Sequence, residues 1–473
     1  MSSVDQTSPD QTSPAQTAAA FARDLSRLLR PDQVSTGQSV LEQHSHDESY
    51  HRPVLPDVVV FPESTEDVVK VVNFAQEHQI PVVPYAVGSS LEGHAIPVKH
   101  GISLDMMRMN RVLEIRPEDF LVRVQPGVTR EEVNAALKKY GLFFPVDPGA
   151  NASLGGMAAT NASGTTTVRY GAMKDNVRAL QVVLPDGQVI QTGSLAAKTS
   201  SGYNLTGLFV GSEGTLGVIT ELWLKVYGIP EKILAARVTF PDVESTVRAS
   251  TAMIGTGIGV ARLEFVDPLV MAAVNSYKHT AFPEEPTLFL EFHGSEQGVQ
   301  EDVALAQEIA QEEGGRDFVF ETDEHARNVL WEARHSAAWA FKAHYPGTEH
   351  MSTDVCVPLS KLPEAVAHAK RVIAEEGAIG GVVGHVGDGN FHCSIAVNPN
   401  DEAELAKVYR VNERVVEHAL SLGGTCTGEH GVGLGKRKYQ AKEHGPALAV
   451  MQAIKRTIDP LDLMNPGKLV DGL

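Results

Sequence analysis

No run of about 18 apolar residues occurs anywhere in the 473 residues, so no segment has the length and composition of a bilayer-spanning helix. Basic clusters are missing as well. The chain carries 40 Lys and Arg against 59 Asp and Glu, a formal charge of −19, and no Lys/Arg run offsets it. That balance excludes a general nucleic-acid binder and fits a soluble cytoplasmic protein kept apart by like charge, with peripheral membrane contact still allowed. Cysteine is scarce: Cys356, Cys393 and Cys426 are an odd number without CxxC spacing, which argues against a disulfide framework and for a reducing compartment. The amino terminus has neither the basic and apolar regions of a signal peptide nor the amphipathic arginines of an organelle presequence. Residues 1–16 are rich in Ser, Thr, Gln and Pro and carry Asp5 and Asp10, and they predict a disordered tail over 1–20.

The chain is too long for one core, so two or three domains are expected. Phe21–Leu29 has helical spacing and opens a lead-in over 21–51; His44, His46 and His51 in it lie in an irregular polar stretch that gives them no common face. Val58–Phe61 reads as a strand, Ser64 or Thr65 caps a helix running to about His78, and Pro81–Val87 returns as a buried strand. The turn V-G-S-S-L-E-G at 87–93 offers backbone N–H groups without Cβ obstruction, which suits a phosphate. Leu121–Val124 is another strand, and Thr129 with Glu132 predicts a capping box on a helix that stops at Gly141. Residues 148–170 are long, small and nearly uncharged, the composition of backbone that approaches an extended ligand; 208–220, L-F-V-G-S-E-G-T-L-G-V-I-T, is a third such loop. Neither Gly255–Gly259 nor Gly431–Lys436 has the spacing of a dinucleotide or P-loop motif.

Beyond residue 230 strand-like runs at 234–240, 260–266 and 287–293 alternate with helical ones at 243–254 and 297–312. Strand 354–358 and helix 361–376 follow. This predicts a ferredoxin-like half-open sheet with helices on one face. Within G-H-V-G-D-G-N-F-H-C at 384–393, Asp388-Gly389 predicts a two-residue turn that pairs His385 with His392. Directly opposed residues share a face at about 5 Å between Cβ atoms, so the two imidazoles would stand at chelating distance. Glu429, next to His430, could complete a two-histidine, one-carboxylate set for a divalent ion. The alternative is a pair of core histidines bonded to backbone groups.

With D-P-G-A-N-A-S-L-G-G, F-V-G-S-E-G-T-L-G, G-H-V-G-D-G-N-F-H, G-E-H-G and M-N-P-G-K, the chain resembles the flavin-linked D-2-hydroxy-acid dehydrogenases, a family that includes D-lactate dehydrogenase of the cytochrome-linked type, the glycolate oxidase flavin subunit and D-2-hydroxyglutarate dehydrogenase. The resemblance runs from about Asp47 to Leu469. It implies an α+β protein: an FAD-binding domain of the vanillyl-alcohol-oxidase type over 52–229, then a ferredoxin-like capping domain over 230–473 with a C-terminal helical segment. It implies that FAD is held by Val87, Gly88, Ser89, Ser90, Leu91, Pro148, Gly149, Gly155, Gly156, Ser163, Gly164, Tyr170, Glu213, Gly214, Gly217, Ile219 and Asn465. His94 is not at the usual linkage position, so non-covalent FAD is expected. The ion, Zn, Mn or Fe, would sit on His385, His392 and Glu429.

A 2-hydroxy acid then has its carboxylate clamped by Arg334, its hydroxyl acidified by the ion and deprotonated by His430, and its C2 hydride passed to flavin N5. Arg334 paired with Glu332 at the surface, and a purely structural His430, are the bland alternatives. Ser352-Thr353-Asp354 lacks the lysine that hydroxyglutarate-specific members place there, and Ala338 stands where they have threonine; both departures favour a small substrate such as D-lactate. Lys342 or His344 could reach the same space. The electron acceptor, whether cytochrome, quinone, another flavoprotein or oxygen, has no motif, and a homodimer is allowed.

Overall fold

The computed structural model describes residues 14–470, with side chains from residue 19 onward. The expected tail therefore lies outside the described residues up to residue 13. From there Pro14–Leu28 is a helix, longer at its start than the 21–29 periodicity, and its Leu25 packs on the first core.

The first half is built on two sheets. In one, Val58–Val60 and Val82–Tyr85 both run parallel to Ile102–Asp105, joined by the helix Thr65–His78. Ser64 caps that helix by accepting from the Asp67 N–H, and Val68, Val71, Val72 and Ala75 bury one face at helical spacing. The second sheet is antiparallel, in the order Val112–Arg116, Leu121–Val124, Val218–Lys225, Val177–Val183, Val189–Gly193. The capping box at Thr129 and Glu132 forms as expected. His44 is structural, its Nε2 2.9 Å from Asp105 Oδ2.

The second half is one eight-stranded sheet. Its path runs Arg316–Glu321, Lys232–Thr239, Thr287–Gly294, Val260–Val266, Ile379–His385, Asn390–Val397, Glu349–Ser352, with Val355–Cys356 also on Asn390–Val397. The first four strands have the ferredoxin-like order, and all pairs are antiparallel. Helices cover both faces, contrary to the one-face expectation. Leu288, Leu290 and Phe292 point into the core under Val243–Thr256, Glu296–Glu312 and Leu362–Glu376, while Phe289 of the same strand packs with Met271, Trp331 and Phe341 from helices on the other side. Those latter helices cover only part of their face. The remainder carries the polar residues of alternate positions: Arg262 and Glu264, Glu291 and His293, Asn390, His392 and Ser394. This uncovered stretch faces the loops of the first half.

The C-terminal segment returns to the first half. Lys455, in the helix Ala447–Ile458, is buried against Asp459, and Met464 bridges in parallel to Val82. Asn465 then donates to the backbone oxygens of His94 and Glu213, fastening two of the glycine-rich loops.

Candidate active site

The hairpin is looser than a two-residue turn. His385 pairs with Asn390, Gly384 with Phe391 and Val383 with His392, leaving a four-residue connection Val386–Gly389. Only Gly389 there has positive φ, at 89°, because its missing Cβ lets the Val357 carbonyl approach. The register thus differs from the expected one by two residues. Side-chain direction repeats every two residues, so a shift of two keeps both histidines on one face. His385 and His392 become diagonal neighbours with ring centroids 5.6 Å apart.

Glu429 arrives from a separate loop held by Asp354. This carboxylate is fully buried, and one of its oxygens accepts from the backbone N–H groups of Gly428, Glu429 and His430 and from the Thr427 hydroxyl. Its other oxygen takes the Asn390 amide at 2.7 Å. The result sets Glu429 Oε1 at 3.3 Å from His385 Nε2 and 3.2 Å from His392 Nε2, with Ser163 Oγ donating to its other oxygen.

This donor set fits a divalent cation. His392 Nδ1 faces the Thr353 carbonyl at 3.0 Å and His385 Nδ1 faces Glu264 at 2.7 Å, partners that only accept. Both rings must therefore donate from Nδ1, which leaves Nε2 lone pairs pointing at a carboxylate oxygen. Protons or one shared cation must lie between them. Ligands at about 2.0–2.1 Å on a tetrahedron stand about 3.3 Å apart, which matches these separations. Without an ion the groups polarise one another: burial opposes the charge on His385, but Glu264 and Glu429 hold it well above the ordinary histidine range. Burial likewise opposes ionisation of Glu429, and the two histidines overcome it and hold it well below.

His430 stacks on His392, centroids 5.0 Å apart and planes 9° from parallel. Its Nδ1 is buried without a partner, and burial pushes its pKa down to about 4, so the ring is neutral at pH 7. Arg334 is 9 % exposed, with Nη2 2.6 Å from Glu264 Oε2. That contact is not aligned as a hydrogen bond, and Nε has no partner either, so the guanidinium keeps unsatisfied donors. Glu332, the suggested alternative partner, pairs with Lys278 instead.

His385, His392, Glu429, His430 and Arg334 line one cavity of about 760 Å³ that runs between the two halves. Its other end is walled by Val87–Leu91, Pro148, Gly149, Gly155, Gly156, Ser163, Gly164, Glu213, Gly214, Gly217, Ile219 and Asn465. Among the described residues no backbone N–H from Val87 to Leu91 has a partner, and a Cβ on Gly149 would meet nothing within 4 Å. Unpartnered N–H groups beside open space suit the phosphates and ribose of a long cofactor. Tyr170 is the exception: it lies outside the cavity, its hydroxyl 2.8 Å from His293 Nδ1. His94 is on the wall, buried, with Nε2 3.2 Å from Glu213 Oε1. Lys342 is there too, paired with Glu349, whereas His344 is not.

Sequence reasoning missed Glu264 and Asp354. Glu264 had a signal, since V-A-R-L-E-F-V places Arg262 and Glu264 on one face of an otherwise apolar strand. Asp354 had none, because three of its donors are backbone N–H groups more than seventy residues away.

Residues 229–469 match the family model described as FAD linked oxidases, C-terminal domain, and residues 56–193 match the FAD binding domain model. The chain is 47% identical over 442 residues to the probable mitochondrial D-lactate dehydrogenase of Danio rerio, covering 93% of this chain and 89% of that protein. It is 46% identical over 424 residues to the mitochondrial D-lactate dehydrogenase (cytochrome) of Arabidopsis thaliana, covering 89% and 75%. Against glycolate oxidase subunit GlcD of Bacillus subtilis the figure is 32% over 443 residues, 93% of each chain. Among solved structures, p-cresol methylhydroxylase superposes with a TM-score of 0.80 at 19% identity, covering 96% of this chain and 98% of that one. The 4-ethylphenol oxidase of Gulosibacter chungangensis gives 0.79 at 19%, covering 98% of each. At that identity these two establish the shared fold.

Proposed function

This chain belongs to the FAD-linked D-2-hydroxy-acid dehydrogenase family and is an FAD-dependent oxidoreductase, and from that premise we propose that it oxidises D-lactate to the 2-oxo acid with the help of a divalent ion on His385, His392 and Glu429. The observation that supports this best is the convergence of that ion set, a neutral His430 and an under-satisfied Arg334 on the cavity reached by the glycine-rich loops. When bound, FAD would supply the hydride acceptor and the ion a Lewis acid for the α-hydroxyl.

Arg334 offers its free donors to the substrate carboxylate, fixing one end of a three-carbon acid. His430 takes the hydroxyl proton at Nε2, the nitrogen 3.9 Å from Glu429 Oε1. Burial keeps that ring unprotonated beforehand, so it is ready as a base. A distal carboxylate would need its own cation, and Lys342 already has Glu349, so a monocarboxylate is the better fit. For the electron acceptor we favour a cytochrome, the acceptor in the name of the Arabidopsis relative.

Anaerobic mixing with D- and L-lactate, with and without chelator, tests the reading. D-lactate should bleach the flavin band, L-lactate should not, and chelation should abolish the bleaching. Bleaching that survives complete removal of the ion would take the ion out of the reaction.

A further inference from the structure

Glu264 is fully buried in the middle of Val260–Val266, and its two carboxylate oxygens face different groups. Phe265 pairs with Gly384 on the adjoining strand, which brings Glu264 beside His385 on the same face. Oε1 lies 2.7 Å from His385 Nδ1, and Oε2 lies 2.6 Å from Arg334 Nη2. Arg334 has no such contact with His385, His392 or Glu429 among the described residues. Among the described residues, Glu264 is thus the side chain whose ion pairs reach both an ion-site histidine and the guanidinium assigned to the substrate carboxylate.

We propose that Glu264 is a positioning residue that joins the two ends of the site: Oε1 fixes His385 as the tautomer whose Nε2 can bind an ion, and Arg334, against Oε2, holds the carboxylate in that orientation. Without the guanidinium against Oε2 the carboxylate would be free to turn away from His385, and its hold on the ring would loosen. A residue with no polar contact to the ion ligands thus acts on ion retention through the orientation of Glu264.

The consequence of replacing the carboxylate follows from donors and acceptors. In Glu264→Gln the side chain has one carbonyl oxygen and one NH2 group for two partners that both donate. With the oxygen on His385, the NH2 meets Arg334, donor against donor. Turned over, the NH2 meets His385 Nδ1 and favours the tautomer with hydrogen on Nε2, which does not bind metal. Groups that orient a metal-binding histidine typically change affinity by about 10–100-fold.

This rests on the reading of His385, His392 and Glu429 as an ion site, and the test separates the two. Full-length FAD-loaded protein is stripped with chelator and titrated calorimetrically with Zn2+ as wild type, Glu264→Gln, Arg334→Met and the double variant, with FAD content and melting recorded for each. Zn2+ dissociation constants should rise about 10–100-fold in Glu264→Gln and about tenfold in Arg334→Met. The double variant should bind no worse than Glu264→Gln, because both changes act through one carboxylate. Should Glu264→Gln fail to fold, Arg334→Met carries the test, since the proposal alone requires that change to reach the ion. Wild-type protein that takes up no Zn2+ overturns the ion site and the coupling together. Wild-type uptake with unchanged affinity in Arg334→Met, or effects that multiply in the double variant, overturns the coupling alone.

Discussion

Asp354→Asn tests how the 427–430 loop is held. One carboxylate oxygen carries the Thr427 hydroxyl and three consecutive backbone N–H groups, those of Gly428, Glu429 and His430, at 2.6–2.9 Å. Hydrogen bonds to a charged acceptor are worth about 1.5–3 kcal/mol, against about 0.5–1.5 kcal/mol for neutral ones. The four bonds share an atom and do not add fully, so replacing the carboxylate by an amide should cost the loop about 3–5 kcal/mol, the range found for breaking buried charge partnerships. The amide adds a second conflict. With its oxygen kept on the loop, its NH2 meets the Asn390 NH2 that now donates to Asp354, and turning Asn390 over gives up the bond to the Val355 carbonyl. At about 1.4 kcal/mol per decade, hydrogen exchange of the 428–430 amides should quicken by roughly two to four orders of magnitude. Mass-spectrometric exchange on peptides spanning 427–431 reads this directly, with the helix Thr65–His78 as an internal control. Unchanged exchange there would refute the assignment of Asp354 as the loop's anchor.

Two further outcomes are expected. His335 is held neutral mainly by burial, with the Arg262 charge adding to it, and its pKa is pushed down to about 4. A histidine lowered on folding contributes stability that is complete above its unfolded value near 6.5 and is lost as pH falls toward 4, on the order of 3 kcal/mol in all. The apparent melting temperature should drop across that window and drop less in His335→Asn; an equal slope in the two proteins would rule the histidine out as a source. In Gly88→Ala, the new Cβ meets the Tyr85 hydroxyl at a position with φ of 77°, a left-handed conformation that costs a non-glycine residue about 1–2 kcal/mol. The purified variant should carry little FAD by its 450 nm-type absorbance, and full flavin occupancy would show that the 87–91 turn does not hold the cofactor.

The elements most legible in the sequence were those set by local chemistry. Ser64 and Thr129 are side chains that cap the helices following them, and both do so through neighbours three residues away. The three glycine-rich loops were legible by composition, and they meet on one cavity because the strands that carry them belong to adjacent sheets. Tyr170 shows the limit of that signal. It closes the second loop, yet the short helix Thr167–Tyr170 turns its ring away toward His293, a residue whose position only the second sheet determines. Helices on the second face of the large sheet were missed for a related reason: Phe289 and Trp331 are far apart in sequence, and a near-continuous apolar strand does not say which neighbour covers which side.

The convergence of His385 and His392 was legible despite a wrong register, and the reason is parity. A turn of Asp388-Gly389 would oppose His385 to His392, whereas the observed loop opposes His385 to Asn390. Any hairpin whose register differs by an even number leaves the seven-residue spacing of these histidines on one face, so the prediction of convergence required only the parity to be right. An odd slip would have sent one imidazole into the core beside Phe391 and Cys393. The flanking apolar alternation, Phe391, Cys393, Ile395 and Val397 all inward, makes that slip costly, since it would expose four buried side chains and bury His392 and Ser394 in their place. The placing of His385 and His392 on one face is therefore specified less by the turn than by the core on the opposite face of the same strand.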